Sequence, residues 1–301
     1  MTSPLSQSPF GPARSDVLAD IVRSLRAPPC APKVIPLLKR HLTNPNVPIP
    51  QIVELIRLDP GVSARVLQAA NSALFKRGER CHSVELAVNR IGFDHIFEIV
   101  ANAVAEQVIV RPLEAYVLEA DEFWRRSVAC GIAAERLAEQ RDEDVHVAYV
   151  LGLLHGVGMV AIDQWTQRHA PRTGFRDRGF PRGYTESEQA LLGVTHAEVG
   201  AAVLRSWEFP LEMAEPLRWQ YSPVDGGSYR RLNCLLYAAR WVSARACAAP
   251  GETVAAPDPR LLAPIRLNAP ALAQLWPTVR DQIEGLQRRL AEEAPEVMAW
   301  A

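Results

Sequence analysis

Lysine is nearly missing from this chain of 301 residues: Lys33, Lys39 and Lys76 stand among 33 basic residues, and arginine supplies the rest. A chain so rich in arginine and alanine often reflects a GC-rich genome, so arginine abundance by itself is weak evidence for phosphate recognition. Cysteine is sparse as well. Cys30, Cys81, Cys130, Cys234 and Cys247 are odd in number, scattered and without a CxxC spacing. That argues against a disulfide framework or a zinc knuckle and predicts a reducing, cytoplasmic setting. Net charge is small: 33 basic against 34 acidic residues leave −1. No global field draws the chain to nucleic acid or an acidic membrane, and any such partner needs a local patch. The opening MTSPLSQSPF shows neither the basic start nor the apolar segment of a signal peptide. The longest apolar run, 147–162, contains His155 and falls short of the roughly 20 residues of a membrane span. It predicts a buried core helix and no membrane association. Strand-type alternation and repeats of fixed period are absent.

What is present reads as helix. Hydrophobic residues make up 48% and charged residues 22%, the balance of a globular protein long enough for two compact lobes or one large domain. Residues 1–13 read as a disordered Ser/Pro-rich tail. Val17, Leu18, Ile21, Val22 and Leu25 recur at helical spacing, and Pro28, Pro29 and Pro32 break that helix. Further helices are expected at 34–41 and 51–58. Asp59-Pro60 is a strong helix start, because the carboxylate caps free N–H groups and proline fits the first turn. The helix after it carries Val62, Val66, Ala69, Ala70 and Leu74 on one face. Ser83 caps the next, which stops at Gly92. An apolar helix at about 93–110 closes an N-terminal lobe of about 14–112.

A second lobe, about 121–250, is predicted to hold helices at 122–140, 144–167, 185–192, 195–207, 211–219 and 228–248. Thr195 and Glu198 have the spacing of a capping box. Residues 251–301 read as a Pro/Ala-rich link and a last helix at 271–290. The fold class is all-α.

Several short segments carry a resemblance. Asp59-Pro60, Ala64 to Leu67, Ala70 to Phe75 (with Asn71-Ser72) and Ser83 through Gly92 resemble, in order and spacing, the signature of the HDOD family. Together with later segments the resemblance covers roughly 20–250. That family is related to HD-superfamily phosphohydrolases, whose histidines and aspartates hold metal ions that activate water. The resemblance implies a multi-helix HDOD-like fold, with an N-terminal helical lobe and a degenerate HD-type helical lobe over 14–250. The later half resembles the HD scaffold at 123–127, 152–158, 193–200 and 237–240. Position by position the metal set fails. Arg126 stands at the first histidine, Gly156 at the aspartate beside His155, Gln220 and Tyr221 at a later histidine pair, and Ala239 at the final aspartate. A divalent cation needs several convergent anionic or imidazole ligands to offset its dehydration. No catalytic residue, metal or cofactor is therefore expected.

Each remaining candidate has a plain reading beside a sharper one. His155 reads as a core or vestigial histidine, and His196 as a surface or capping residue in the first turn of its helix. Asn71 is expected to hydrogen-bond a neighbouring loop and hold two helices in register. Arg65 is expected to pair with Asp59 or Glu54. The stretch 168–184 interleaves Arg172, Arg176 and Arg178 with Phe175, Phe180 and Tyr184, opposed only by Asp177; such a loop can hold a phosphorylated ligand or single-stranded nucleic acid. Its plainer reading is a solvated loop.

What the resemblance implies is a non-catalytic regulatory module of bacterial signal transduction, near two-component or cyclic-di-GMP pathways. It would work by protein–protein contact with signalling proteins in trans, since no receiver, GGDEF or kinase segment is attached. Nucleic acid is not expected as a partner, and a homo-oligomer is compatible with the sequence. The rivals are a divergent HD-type phosphohydrolase using His155 and His196, and a nucleotide or nucleic-acid binder using the arginine loop.

Overall fold

A computed structural model of the chain describes residues 14–25, 47–75, 78–92 and 112–293, with isolated positions at 34, 37, 38, 41, 95, 96 and 99. The expected tail at 1–13, the proline break at 28–32 and most of the helices expected at 34–41 and 93–110 lie outside the described residues. Among the described residues every regular element is helical, and one isolated antiparallel bridge joins Leu113 to Leu118.

The first helix, α1 (Arg14–Ser24), packs on helices α7 (Val157–His169) and α9 (His196–Ser206), which are far along the chain. Trp165 of α7 donates its indole N–H to Asp20 Oδ2 at 2.7 Å. By packing, α1 thus joins the later half of the molecule.

Three short helices form one cluster: α2 (Ile49–Arg57), α3 (Pro60–Asn71) and α4 (Val84–Ile91). Asp59 is fully buried and caps α3 by accepting the Val62 N–H at 2.9 Å, and Ser83 caps α4 through the Leu86 N–H at 3.1 Å. Each such cap is worth about 0.5–2 kcal/mol. Gly92 ends α4 at φ 79°, a backbone conformation that favours glycine. Leu74 departs from the sequence expectation. Helix α3 stops at Asn71, Ser72 turns extended, and Leu74 stands 80% exposed instead of joining the apolar face.

The cluster is tied to α5 (Ala120–Glu139) and α6 (Val145–Leu154) by long-range polar contacts. Trp124 donates to the Leu58 carbonyl and Tyr149 to the Arg57 carbonyl, both at 2.7 Å. Arg57 reaches Glu85 and Glu135.

The later half is built on α5, α6 and α11 (Arg230–Cys247), with α8 (Thr185–Leu192) and α10 (Leu211–Arg218) at its side. The stretch 145–169 is long and apolar enough to cross a membrane by composition, yet 83% of its most apolar window is buried inside the protein. It is also two helices, not the single one expected at 144–167, because it breaks at His155-Gly156 between α6 and α7. Two glycines let helices touch. A Cβ on Gly152 would lie 2.4 Å from the Cys130 carbonyl oxygen of α5, and one on Gly158 would lie 1.9 Å from the His196 carbonyl oxygen of α9. The link after α11 holds a single helical turn, α12 (Pro259–Leu262), and is fastened by Trp241 to the Ala255 carbonyl and by the Asp258 N–H to the Tyr237 hydroxyl. The last helix, α13 (Ala269–Glu293), lies along α11 and α5.

Candidate functional site

The break at His155-Gly156 opens onto a cavity of about 720 Å³ framed by α5, α7, α11 and the segment 177–184. Arg126, His155 and Gly156 line it, as do His196, Tyr221 and Arg240. Two other positions read from the sequence do not face it. Gln220 is fully buried behind His155 and donates Nε2 to the His155 carbonyl at 3.1 Å, an acceptor that the helix break leaves free. Ala239 is buried in α11, and its neighbour Arg240 reaches the cavity instead.

His155 donates Nδ1–H to the Gly152 carbonyl at 2.7 Å, which leaves Nε2 as an acceptor. Burial, and next the adjacent Arg240 guanidinium, push its imidazole down to about 3. His155 is therefore neutral under ordinary conditions. Where an aspartate would follow it, the space is closed: a Cβ on Gly156 would lie 2.8 Å from the Phe123 ring.

His196 departs from the surface or capping role expected of it. It is 1% exposed, while the capping box itself is made by Thr195 and Glu198. His196 sits in a buried relay. The Tyr116 hydroxyl donates to Glu188 Oε1 at 2.7 Å, Glu188 accepts from the His196 backbone N–H at 2.8 Å and from Nδ1 at 2.8 Å, and Nε2 meets the Tyr221 hydroxyl at 2.8 Å. Burial pushes Tyr221 up to about 12, so its hydroxyl stays protonated where it meets Nε2. Burial would raise the Glu188 carboxyl, yet the His196 ring and the surrounding donors hold it below the usual carboxylate range. The Glu188 carboxylate reaches from α8 to the His196 N–H at the start of α9, where the helix dipole favours negative charge.

Arginines replace the metal set. Arg126 of α5 pairs with Glu122 at 2.5 Å and lies 3.9 Å from Asp177. Arg240, 9% exposed, stacks 3.7 Å from the Tyr221 ring centroid and donates to the Gln220 carbonyl at 2.8 Å. Among the described residues no three His, Cys, Asp or Glu side chains converge as a metal set. Two cationic guanidiniums, a neutral imidazole and a glycine pressed against Phe123 do not fit a divalent ion.

The HDOD domain pattern matches residues 29–223, about two thirds of the sequence. The chain belongs to the HDOD family. A relative from Treponema pallidum (strain Nichols), itself an uncharacterized protein, is 26% identical over 198 residues; the aligned region spans 64% of this chain and 37% of that longer relative. The crystal structure of the MmoQ response regulator from Methylococcus capsulatus strain Bath superposes with a TM-score of 0.66 at 21% identity, over 84% of this chain and 99% of that one. A virulence factor from Campylobacter jejuni superposes at 0.62 with 19% identity, over 76% and 83%. At these identities the likeness shows a shared fold.

The signature residues of the HDOD segment are structural in their contacts. Asn71, 2% exposed, clamps the backbone of Cys81: Nδ2 donates to its carbonyl at 2.9 Å and Oδ1 accepts its N–H at 2.6 Å. Ser72 closes the end of α3 on the Ala69 carbonyl, and Arg65 is half-buried on α3. Arg172, Arg176 and Arg178 are exposed, but their loop is less basic than its sequence suggests. Glu186 of α8 reaches both Arg178, at 3.5 Å, and Arg182, at 2.6 Å. Phe175 and Tyr184 are buried, and Phe180 turns into the cavity. The functional residues missed from sequence are Glu188 and Arg240. Both occupy charged positions of ordinary helical patterns, and nothing local marks them as inward-facing.

Proposed function

We propose that this HDOD protein is a non-catalytic regulatory module that acts through protein–protein contact in bacterial signal transduction, with its partner in trans. The observation that carries the reading is the cavity at the HD position, walled by the guanidiniums of Arg126 and Arg240 beside a histidine without its aspartate. Water activation there has no acid–base agent. A base whose conjugate acid titrates near 3 abstracts protons poorly at neutral pH, and Nε2 of His196 is already engaged by the Tyr221 hydroxyl. The family membership, and the response-regulator name of MmoQ on the same fold, support a signalling role. The relatives named above all come from bacteria.

The test is turnover of phosphomonoester, phosphodiester and nucleotide substrates by the purified chain supplied with manganese, magnesium or zinc. The expected result is none above buffer. Turnover that disappears in His155→Ala or His196→Ala would establish the enzyme instead.

A further inference from the structure

The cavity is well formed although the metal set is gone, and its wall holds a charge without a counter-charge. Arg240 is 9% exposed, and its partners are the Gln220 carbonyl and the Tyr221 ring, neither of which bears a negative charge. A buried guanidinium is costly to desolvate unless an anion meets it. The Arg240 guanidinium lines the cavity, as does the half-exposed guanidinium of Arg126 on α5.

We infer that the cavity binds an organic monophosphate of nucleotide size. The phosphoryl group would lie against Arg240, with Arg126 at its edge. Guanidiniums bind phosphate through charge-assisted hydrogen bonds, and a phosphate offers oxygens in several directions, as donors on two different helices require. A volume of about 720 Å³ exceeds what an inorganic ion fills and falls in the range of small-molecule sites. Phe180 and Tyr184 supply aromatic faces for a planar ring. The lining also carries the exposed Glu119, Asp121, Asp177, Glu252 and Glu284, which outnumber its further guanidiniums, Arg125 and Arg280. That excess of acid disfavours polyphosphates and nucleic acid and favours a ligand bearing one phosphoryl group. The inference goes beyond the signalling reading and does not depend on it, because binding is measured on the chain alone, without partner or turnover.

The experiment is calorimetric titration of the full chain with 5′-AMP, 5′-GMP, ATP, adenosine and inorganic phosphate. Saturable binding of AMP or GMP is expected, with ATP weaker and adenosine without effect. Arg240→Gln should weaken it by at least about tenfold, the loss expected of a charge-assisted hydrogen bond. Arg126→Gln removes the guanidinium at the edge of the site and should weaken it severalfold; it decides the matter if Arg240→Gln fails to fold by circular dichroism. The double variant Arg176→Glu with Arg178→Glu should bind as the parent does, which separates the cavity from the loop. No saturation by either nucleotide up to millimolar concentration overturns the inference, as does binding unchanged in a folded Arg240→Gln or in Arg126→Gln. Inorganic phosphate binding as tightly as the nucleotides also overturns it, since the site then holds an adventitious ion only.

Discussion

The Tyr221 hydroxyl lies 2.8 Å from Nε2 of His196 and closes a relay that starts at Tyr116 and passes through Glu188. This contact occupies Nε2 of His196, a residue of the cavity lining. Tyr221→Phe keeps the ring beneath Arg240 and removes only the hydroxyl, leaving a buried ring nitrogen unpaired. The expected cost is about 1–3 kcal/mol of stability, read as a lower midpoint in chemical denaturation. An unchanged midpoint would mean that the relay contributes nothing to folding.

Acid should destabilise the protein through His155. Its folded pKa is depressed to about 3, while an unfolded histidine titrates near 6.5. Between those values the unfolded chain binds the proton and the folded chain does not, so stability is intact above about 6.5 and falls as pH drops toward about 3. The slope is at most about 1.4 kcal/mol per pH unit, and less where solvent in the cavity screens the group. Glu188, depressed in the folded state, adds loss at the lower end, as pH falls below the range of an unfolded carboxylate. Denaturation midpoints at stepwise lower pH check this. In His155→Gln the decline above pH ~5 should be shallower, because the contribution of this depressed imidazole is removed.

Asn71→Ala should lower the melting temperature. Both ends of the amide bond the Cys81 backbone, and their removal leaves a buried N–H and carbonyl unpaired at a cost of about 1–3 kcal/mol. Partner binding should suffer only as folding suffers. Thermal denaturation and a binding assay on the same variant test both halves; normal melting with binding lost would assign Asn71 to recognition.

Elemental analysis of protein purified without chelator should find no stoichiometric zinc, iron, manganese or magnesium. Gly156→Asp alone should not create a site. Its side chain would begin against the Phe123 ring, so the variant is expected to melt lower and still carry no metal. About one metal per chain in the parent protein would sink the reading of the HD position given above.

The arginine loop should not act as a nucleic-acid grip. Arg178 and Arg182 already face Glu186, and two of the loop's aromatics are buried. RNA association at physiological salt is expected at background level, and Arg176→Glu with Arg178→Glu should leave the fold unchanged. Tight binding that falls steeply with salt and vanishes in that double variant would contradict this.

Much of the fold was legible along the chain, because caps and periodicity are local physics. Asp59, Ser83, Gly92 and the Thr195–Glu198 box act within a turn of their own position, and the helices they bound fall where the apolar spacing puts them. The family signature was legible for the same reason, since its residues keep order and spacing. Arg126, His155 and Gly156 were thereby located before any contact was known. What the tertiary structure alone decided is which polar side chains turn inward. Glu188 looks like a solvated first-turn acid until His196 and Tyr116 are brought to it, and Arg240 looks like an outer-face residue until α11 packs its side chain over Tyr221. The break between α6 and α7 was equally hidden, because a continuous apolar pattern permits one helix. At the break Gly156 lies against Phe123 and Gly158 against α9, contacts between residues distant in sequence. Burial of a charge depends on partners distant in sequence, and no local pattern encodes a partner that folding has yet to supply.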